Sequence, residues 1–337
     1  MIDWLSGRIT FDHEPLNGGK VFKVRPDGHI EWTSNCWTDV KGSHDENFRL
    51  RSYGSSIIEF SGNPAKWLQG HNLFGCDDLP AVLLGALTDV FSRVGVEHDA
   101  VALADACSVA TLTRVDLTRS FKLQSREAVR SWIRSAAESA WLRHRGRGLL
   151  TKEGTLYFGK HSRRWSIKVY CKADELEAHQ LPVKLRSRDR LVRWAEGQLR
   201  VEITLRSLQL RDEKLYAPLL WRDNTFARAF DSHLSTLEMS GQMKIPDEKF
   251  AQLPPRIRAA YQLWLDGNDL RRVYSRRTFY HYRRQLLRHG VDVALLRPRD
   301  PSRDRPDLRR VLTAVPSEVP AWAVGTSLYF EAVKKAA

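Results

Sequence analysis

Three segments of this chain alternate charged and apolar residues with a period of two, and that pattern constrains the fold more than any other feature. In Trp165–Leu176, Lys168, Tyr170 and Lys172 share one face of an extended chain, while Ile167, Val169 and Cys171 share the other. Val109–Thr118 sets Arg114 and Asp116 against Val115 and Leu117. Leu199–Leu205 sets Arg200, Glu202 and Thr204 against Val201, Ile203 and Leu205. Each is the pattern of an antiparallel strand with one covered and one polar face. Any one alone reads as a half-solvated strand, with Arg-x-Asp and Arg-x-Glu as cross-strand ion pairs. Placed in one sheet with a common orientation, the three would bring Tyr170, Asp116 and Glu202 onto one surface.

Such a surface has a chemistry. Two carboxylates suit a hard divalent ion, Mg²⁺ or Mn²⁺, which takes oxygen ligands from one or two carboxylates plus a substrate phosphate. The ion would polarise a phosphodiester and the Tyr170 phenol would attack it. A phenol ordinarily titrates at about 10, so Lys168 and Lys172 are expected to favour the phenolate or to hold the phosphate. Arg114 and Arg200 would stabilise charge at pentacoordinate phosphorus, or else bridge to Asp116 and Glu202. Tyr157 is a competing nucleophile, but its strand lacks flanking charge and reads as core or as a substrate-stacking position. His71 reads as a third metal ligand or as a local hydrogen-bonding residue.

Around these strands the spacing predicts helices over 79–94, 126–144 and about 186–197. Residues 5–62 read as short strands joined by turns such as Arg25–His29. The fold class expected is α+β: an antiparallel-rich catalytic sheet with helices on one face, plus a C-terminal basic helical unit of helix-turn-helix type. With 337 residues, about two domains are expected. The division expected is a catalytic unit over 1–215, β-rich over 1–75 with its catalytic sheet over 105–212. A basic helical unit over 216–296 and a Pro/Arg-rich linker and tail over 297–337 follow.

Charge points to a polyanionic partner. The net charge is +14, and phosphate neutralisation releases counterions. Residues 256–310 hold fifteen arginines and six aspartates, with no lysine or glutamate. Three short helices are expected there: Arg256–Trp264, one starting at Asp269, and Ser275–Gly290. In the last, Phe279, Tyr282 and Leu286 form a buried stripe that turns Arg276, Arg277, Tyr280, Arg283 and Arg284 outward. That helix would enter a major groove, or would only clamp backbone phosphate. Leu308–Val315 and Trp322–Gly325 are expected to pack back onto the body. The four cysteines have no metal-type spacing and read as reduced core thiols. No run is apolar enough to span a bilayer, no signal peptide is evident, and neither a Walker sequence nor a dinucleotide fingerprint is present. A soluble protein of a reducing compartment, without a membrane partner, is expected.

Several blocks together carry a resemblance. They are Met1–Leu5, Asn63–Gly75 (Asn-Pro-Ala-Lys-Trp-Leu-Gln-Gly-His-Asn-Leu-Phe-Gly) with Asp78-Leu79, Thr113–Asp116, Ser162–Leu176 and Leu199–Glu202. In these the chain resembles the gene II replication initiators of filamentous bacteriophages, closely over residues 1–215 and more loosely beyond. The resemblance implies an enzyme that nicks one strand of a double-stranded origin and starts rolling-circle synthesis. By position the nucleophile falls on Tyr170, giving a 5′-phosphotyrosine and a 3′-hydroxyl that primes a host polymerase, with a host helicase as a further partner. The displaced single strand is later cut and resealed without ATP. Related nickases often hold their metal with a His-hydrophobic-His pair; none occurs among the eleven histidines, which leaves Asp116 and Glu202. Two other readings stand beside this one: a non-catalytic DNA-binding repressor, and an RNA-binding protein with a basic helical tail.

Overall fold

The computed structural model describes residues 1–332 except 17, 45, 143–145, 223, 240–249, 290 and 295–307. Its strands, in chain order, begin with β1 (Ile2–Thr10), β2 (Lys20–Val24), β3 (Ile30–Asn35), β4 (Thr38–Lys41), β5 (Asn47–Tyr53) and β6 (Ile57–Gly62). Then come β7 (Thr111–Lys122), β8 (Ala140–Leu142), β9 (Gly146–Arg147), β10 (Leu149–Leu150), β11 (Leu156–Phe158), β12 (Trp165–Cys171), β13 (Gln198–Arg206) and β14 (Leu237–Met239). Nine of them form one antiparallel sheet in the order β10-β11-β12-β13-β7-β1-β6-β5-β4. The three alternating segments are adjacent within it as β12, β13 and β7. Lys168 lies opposite Glu202, Glu202 opposite Thr118, and Thr204 opposite Asp116.

Four of the six strands within residues 1–62 belong to this sheet. β1 pairs with β7, Trp4 opposite Asp116, and β6, β5 and β4 extend the sheet outward. β2 and β3 form a separate two-stranded sheet, while β1 and β4–β6 share one sheet with β7 and β10–β13, joined where Leu5 and Ile9 continue the apolar face of Val115 and Leu117. All four side chains are fully buried, as are Ile167, Val169, Val201 and Ile203. Each such burial contributes about 1.5–3 kcal/mol.

The helices are α1 (Pro64–Gln69), α2 (Leu79–Val94), α3 (Ala100–Ser108), α4 (Arg126–Ser139), α5 (Lys172–Ala178), α6 (Arg188–Ala195), α7 (Ser207–Asp212) and α8 (Thr225–Ser235). α2, α3, α4 and α8 cover the apolar face of the sheet. Their ends follow local rules. Asp78 caps α2 by accepting from the Ala81 N–H at 3.0 Å, and Gly95 closes it in the left-handed region. Ser125 caps α4 in the same way. α4 stops at Ser139 rather than 144, because Ala140 and Leu142 leave it to pair with β14 as buried strand residues.

A second hydrophobic cluster belongs to three C-terminal helices, α9 (Pro255–Leu265), α10 (Leu270–Val273) and α11 (Arg276–Leu287). Ile257, Ala260, Trp264, Leu270, Phe279 and Leu286 form its centre. The Arg297–Pro306 linker lies outside the described residues. Beyond it α12 (Leu308–Thr313) sets Leu312 into the main core, and Ala323 and Leu328 pack with Leu73 and Phe74. The tail thus returns to the body, as the apolar residues require. The four cysteines are unpaired, and no described helix is long and apolar enough to cross a membrane.

Candidate active site

The face of the sheet turned away from α2, α3, α4 and α8 is polar at its centre. Tyr170, near the end of β12, is 5% exposed and donates its hydroxyl hydrogen to Oε1 of Glu202 on β13. Lys168 reaches the other oxygen of Glu202 at 3.1 Å, and its Nζ lies 4.2 Å from the centre of the Tyr170 ring. Burial first, and then the Glu202 charge, pushes the phenol well above its ordinary value. The lysines therefore do not hold Tyr170 as a phenolate, contrary to one expectation from its neighbours in sequence. Burial also raises Glu202, with Asp3 adding repulsion and Lys168 opposing it. A basic carboxylate facing a protonated phenol is a proton-acceptor arrangement.

Asp116 lies one strand over and one same-face step along. Arg114 holds it with a bidentate pair, Nε at 2.9 Å and Nη2 at 2.6 Å, and stacks on Trp4 at 5.4 Å. Of the two roles open to Arg114, the bridge is the one seen. Burial raises the Asp116 carboxyl, Arg114 offsets part of that, and Asp3 adds repulsion. Two mutually repelling buried carboxylates have the donor chemistry for a hard cation. Among the described residues no three His, Cys, Asp or Glu side chains converge on a metal position. Asp116 and Glu202 are the two carboxylates that could hold such an ion.

Lys172 and Arg200 do different work from that expected. The strand ends at Cys171, so Lys172 opens α5 instead of extending the Tyr170 face. Its buried ammonium donates to Oδ1 of Asn72 at 2.8 Å and to Glu175 at 2.6 Å. Burial draws it down to about 8, against the opposing pull of Glu175. Arg200 does not bridge Glu202. It is fully buried and donates to the carbonyls of Asn72 and Leu73 at 2.7 and 2.5 Å. Both cations thus pin the 70–74 loop against the sheet. His71 in that loop accepts the Leu73 N–H on Nδ1 at 3.3 Å and stands edge-on to Phe74. It takes the hydrogen-bonding role rather than joining the carboxylates.

Asp3 is the site residue that sequence reasoning missed. It accepts from the amides of Asn63 and Asn72 at 2.8 and 2.9 Å. Burial works against its charge, but Arg200 and Lys172 outweigh that and hold it below the usual carboxylate range. The signal was available, since Asp3, Asn63 and Asn72 all lie in the blocks that carried the family resemblance.

The sequence matches, over residues 1–231, the family model that describes the N-terminal part of the phage replication-associated protein, the gene II protein. The chain belongs to this family of replication-associated proteins. It is 36% identical over 332 residues to the replication-associated gene II protein of Enterobacteria phage I2-2, covering 95% of this chain and 96% of that one. This is the family to which the sequence blocks pointed. A solved rolling circle replication initiator protein from Geobacillus stearothermophilus overlaps 74% of this chain and 90% of its own at 12% identity. Its TM-score of 0.33 is too low for that overlap to bear on the site.

In this gene II family chain the other candidate residues divide. Tyr157 on β11 stands opposite Lys168, with Lys160 4.9 Å from its ring centre, so charge does flank it once the strands pair. On α11, Phe279 and Leu286 are buried and Tyr282 is only half-buried, and Arg276, Arg277, Tyr280 and Arg284 are exposed as the stripe predicts. Arg283 is the exception. It is half-buried in a bidentate pair with Asp292 at 2.7 and 2.8 Å, because Asp292 folds back beside the helix end.

Proposed function

We propose that this protein nicks and rejoins one DNA strand at a replication origin, and so initiates rolling-circle replication of a phage-type replicon. The observation that carries the reading is the Tyr170–Glu202–Lys168 triplet beside Asp116, in a chain of a replication-associated family. Glu202 takes the Tyr170 proton as the phenolic oxygen attacks phosphorus. The bond to the 3′ oxygen breaks, leaving a 5′-phosphotyrosine. Lys168 is placed to hold the phosphate and to give a proton to the departing 3′ oxygen. Running the step backwards joins the ends without ATP, because the ester bond is exchanged and not hydrolysed.

Asp116 and Glu202 would hold Mg²⁺ or Mn²⁺, which would polarise the scissile phosphate. The exposed arginines and Tyr280 of α11 would meet duplex origin DNA. The 3′-hydroxyl would pass to a host polymerase, and the displaced single strand would return to the same site for closure. A pure DNA-binding repressor would have no use for a buried tyrosine paired to a carboxylate.

The test is incubation of a supercoiled plasmid bearing the parent replicon's origin with the protein and Mg²⁺, alongside Tyr170→Phe and Tyr157→Phe. Nicked circles and a covalent adduct lost only in Tyr170→Phe are expected. Loss only in Tyr157→Phe moves the nucleophile to β11. Tight origin binding with no cleavage by the intact protein overturns the nuclease reading in favour of a repressor.

A further inference from the structure

The polar face continues beyond Tyr170, and one line of registered residues crosses it from β13 to β5. Arg206 stands opposite Arg114, Arg114 opposite Ser6, Ser6 opposite Ser61, and Ser61 opposite Arg49. Like charges directly opposite one another destabilise a sheet. Arg114 has Asp116 as a partner. Arg206 has the Ser166 hydroxyl at 3.3 Å, and among the described residues no carboxylate within ion-pair distance. The Asp116 charge is felt by both arginines, but Arg206 is left, among the described residues, without an ion-pair partner of its own.

The rest of the line repeats one theme. The Ser6 and Ser61 hydroxyls meet at 2.8 Å, and the Trp4 indole N–H points at both from 3.2 Å. Arg114 lies over the Trp4 ring, and at the far end Arg49 and Arg51 lie over Trp37 at 5.1 and 4.6 Å. Arg49 is exposed, and Trp4, Ser6, Ser61, Arg114 and Trp37 are half-buried. Four strand spacings of about 4.8 Å make the line roughly 19 Å long. Cations for phosphates, with flat rings for bases, are the components of a single-strand binding groove. The Arg49–Asp39 pair at its outer end is a surface contact of 3.2 Å, of the kind that is given up at little cost.

We infer that this line binds single-stranded DNA next to the cleavage site, with Arg206 and Arg49 as phosphate contacts at its two ends. The direction of the strand rests on Tyr170 being the nucleophile; the track itself does not.

The experiment measures binding of a fluorescein-labelled oligothymidylate to Tyr170→Phe protein by anisotropy across a range of NaCl. Each of Arg206→Gln and Arg49→Gln is expected to weaken binding and to lower the slope of log K against log salt by about 0.7, and the pair by about 1.4. Arg206→Lys keeps the charge and should keep the slope. Arg49 is at the surface, so its effect cannot come from unfolding. An unchanged slope in the double variant overturns the track, and so does an equal loss from Arg277→Gln on α11. Origin nicking, assayed separately with Tyr170 present, keeps the two readings apart. Nicking with unmoved slopes removes the track alone, whereas moved slopes without nicking keep the track and remove the nuclease.

Discussion

Lowering the pH from about 7 to about 5 should weaken the fold by about 2 kcal/mol through His71 alone. The ring is 1% exposed, packed edge-on against Phe74 with centroids 4.7 Å apart. Burial is the main reason its pKa falls to about 3; the Leu328 carbonyl opposes this, and Lys172, Arg200 and His44 add repulsion. Glu175, Glu46, Lys66 and His179 are the other ionisable groups lining the cleft on which it borders. In the unfolded chain a histidine titrates at about 6.5. The unfolded state therefore binds the proton first, so the stability is present above that value and drains away as pH falls toward 3. At pH 5 the gap opened is about 1.5 pH units at about 1.4 kcal/mol each. Urea unfolding followed by tryptophan fluorescence is a suitable assay, because Trp194 and Trp322 both touch Phe74. His71→Gln should be less stable than the native chain at neutral pH, with the difference shrinking by about 2 kcal/mol at pH 5. Parallel pH profiles for the two proteins would refute the argument, since they would mean that the ring is as easily protonated in the fold as outside it.

Three further outcomes can be measured. Glu202→Gln should lower nicking by about 10²–10⁴-fold, as expected for loss of a general base, while leaving oligonucleotide affinity nearly intact; unimpaired cleavage would remove Glu202 from the proton path. Arg200→Met should cost about 3 kcal/mol in denaturant unfolding, because the buried Asn72 and Leu73 carbonyls lose their donor. A loss below about 1 kcal/mol would show that water or another group replaces it. Gly7→Ala should cost about 2–3 kcal/mol, since a Cβ there would sit 2.6 Å from the Thr111 carbonyl oxygen in the middle of the sheet; an unchanged melting temperature would mean that β1 and β7 can part without penalty.

How much could be read in advance depended on whether a residue's surroundings were local. β7, β12 and β13 were legible because alternation along one strand fixes which side chains share a face. Helices α2 and α11 were legible from spacing. β1 was harder to place. Its buried Ile2 and Leu5 are three apart, because a register shift against β7 between Ile2 and Trp4 interrupts the alternation that Leu5, Gly7 and Ile9 then keep. Nothing local says that this strand inserts beside Asp116. The same limit applies to Lys172 and Arg200, whose partners Asn72 and Leu73 lie in a loop far away along the chain. Arg283 was read as outward because its helix spacing is ambiguous, and only the return of the chain at Asp292 turns it inward. Arg206 was passed over because its significance is a cross-strand neighbour, Arg114.

The charges on the polar face bear on how metal and DNA would enter together. Without substrate, Asp116 is paired with Arg114, and Glu202 is paired with Lys168 and accepts a hydrogen bond from the Tyr170 hydroxyl. A divalent cation taken up by the two carboxylates would compete with those partners and release Arg114 and Lys168 toward an incoming phosphate. A bound phosphate, by drawing the same cations away, would unmask the carboxylates for the metal. Each event favours the other, and such coupling must be reciprocal. Mg²⁺ should therefore tighten oligothymidylate binding to Tyr170→Phe protein at constant ionic strength, by about 1–3 kcal/mol if the coupling is of ordinary size. DNA should tighten Mg²⁺ binding by the same factor. Asp116→Asn should abolish both effects while leaving metal-free affinity equal or higher, since Arg114 is then free from the start. If Mg²⁺ instead weakens binding equally in both proteins, it acts only by screening, and the carboxylates serve as counterions to the arginine and lysine and not as metal ligands.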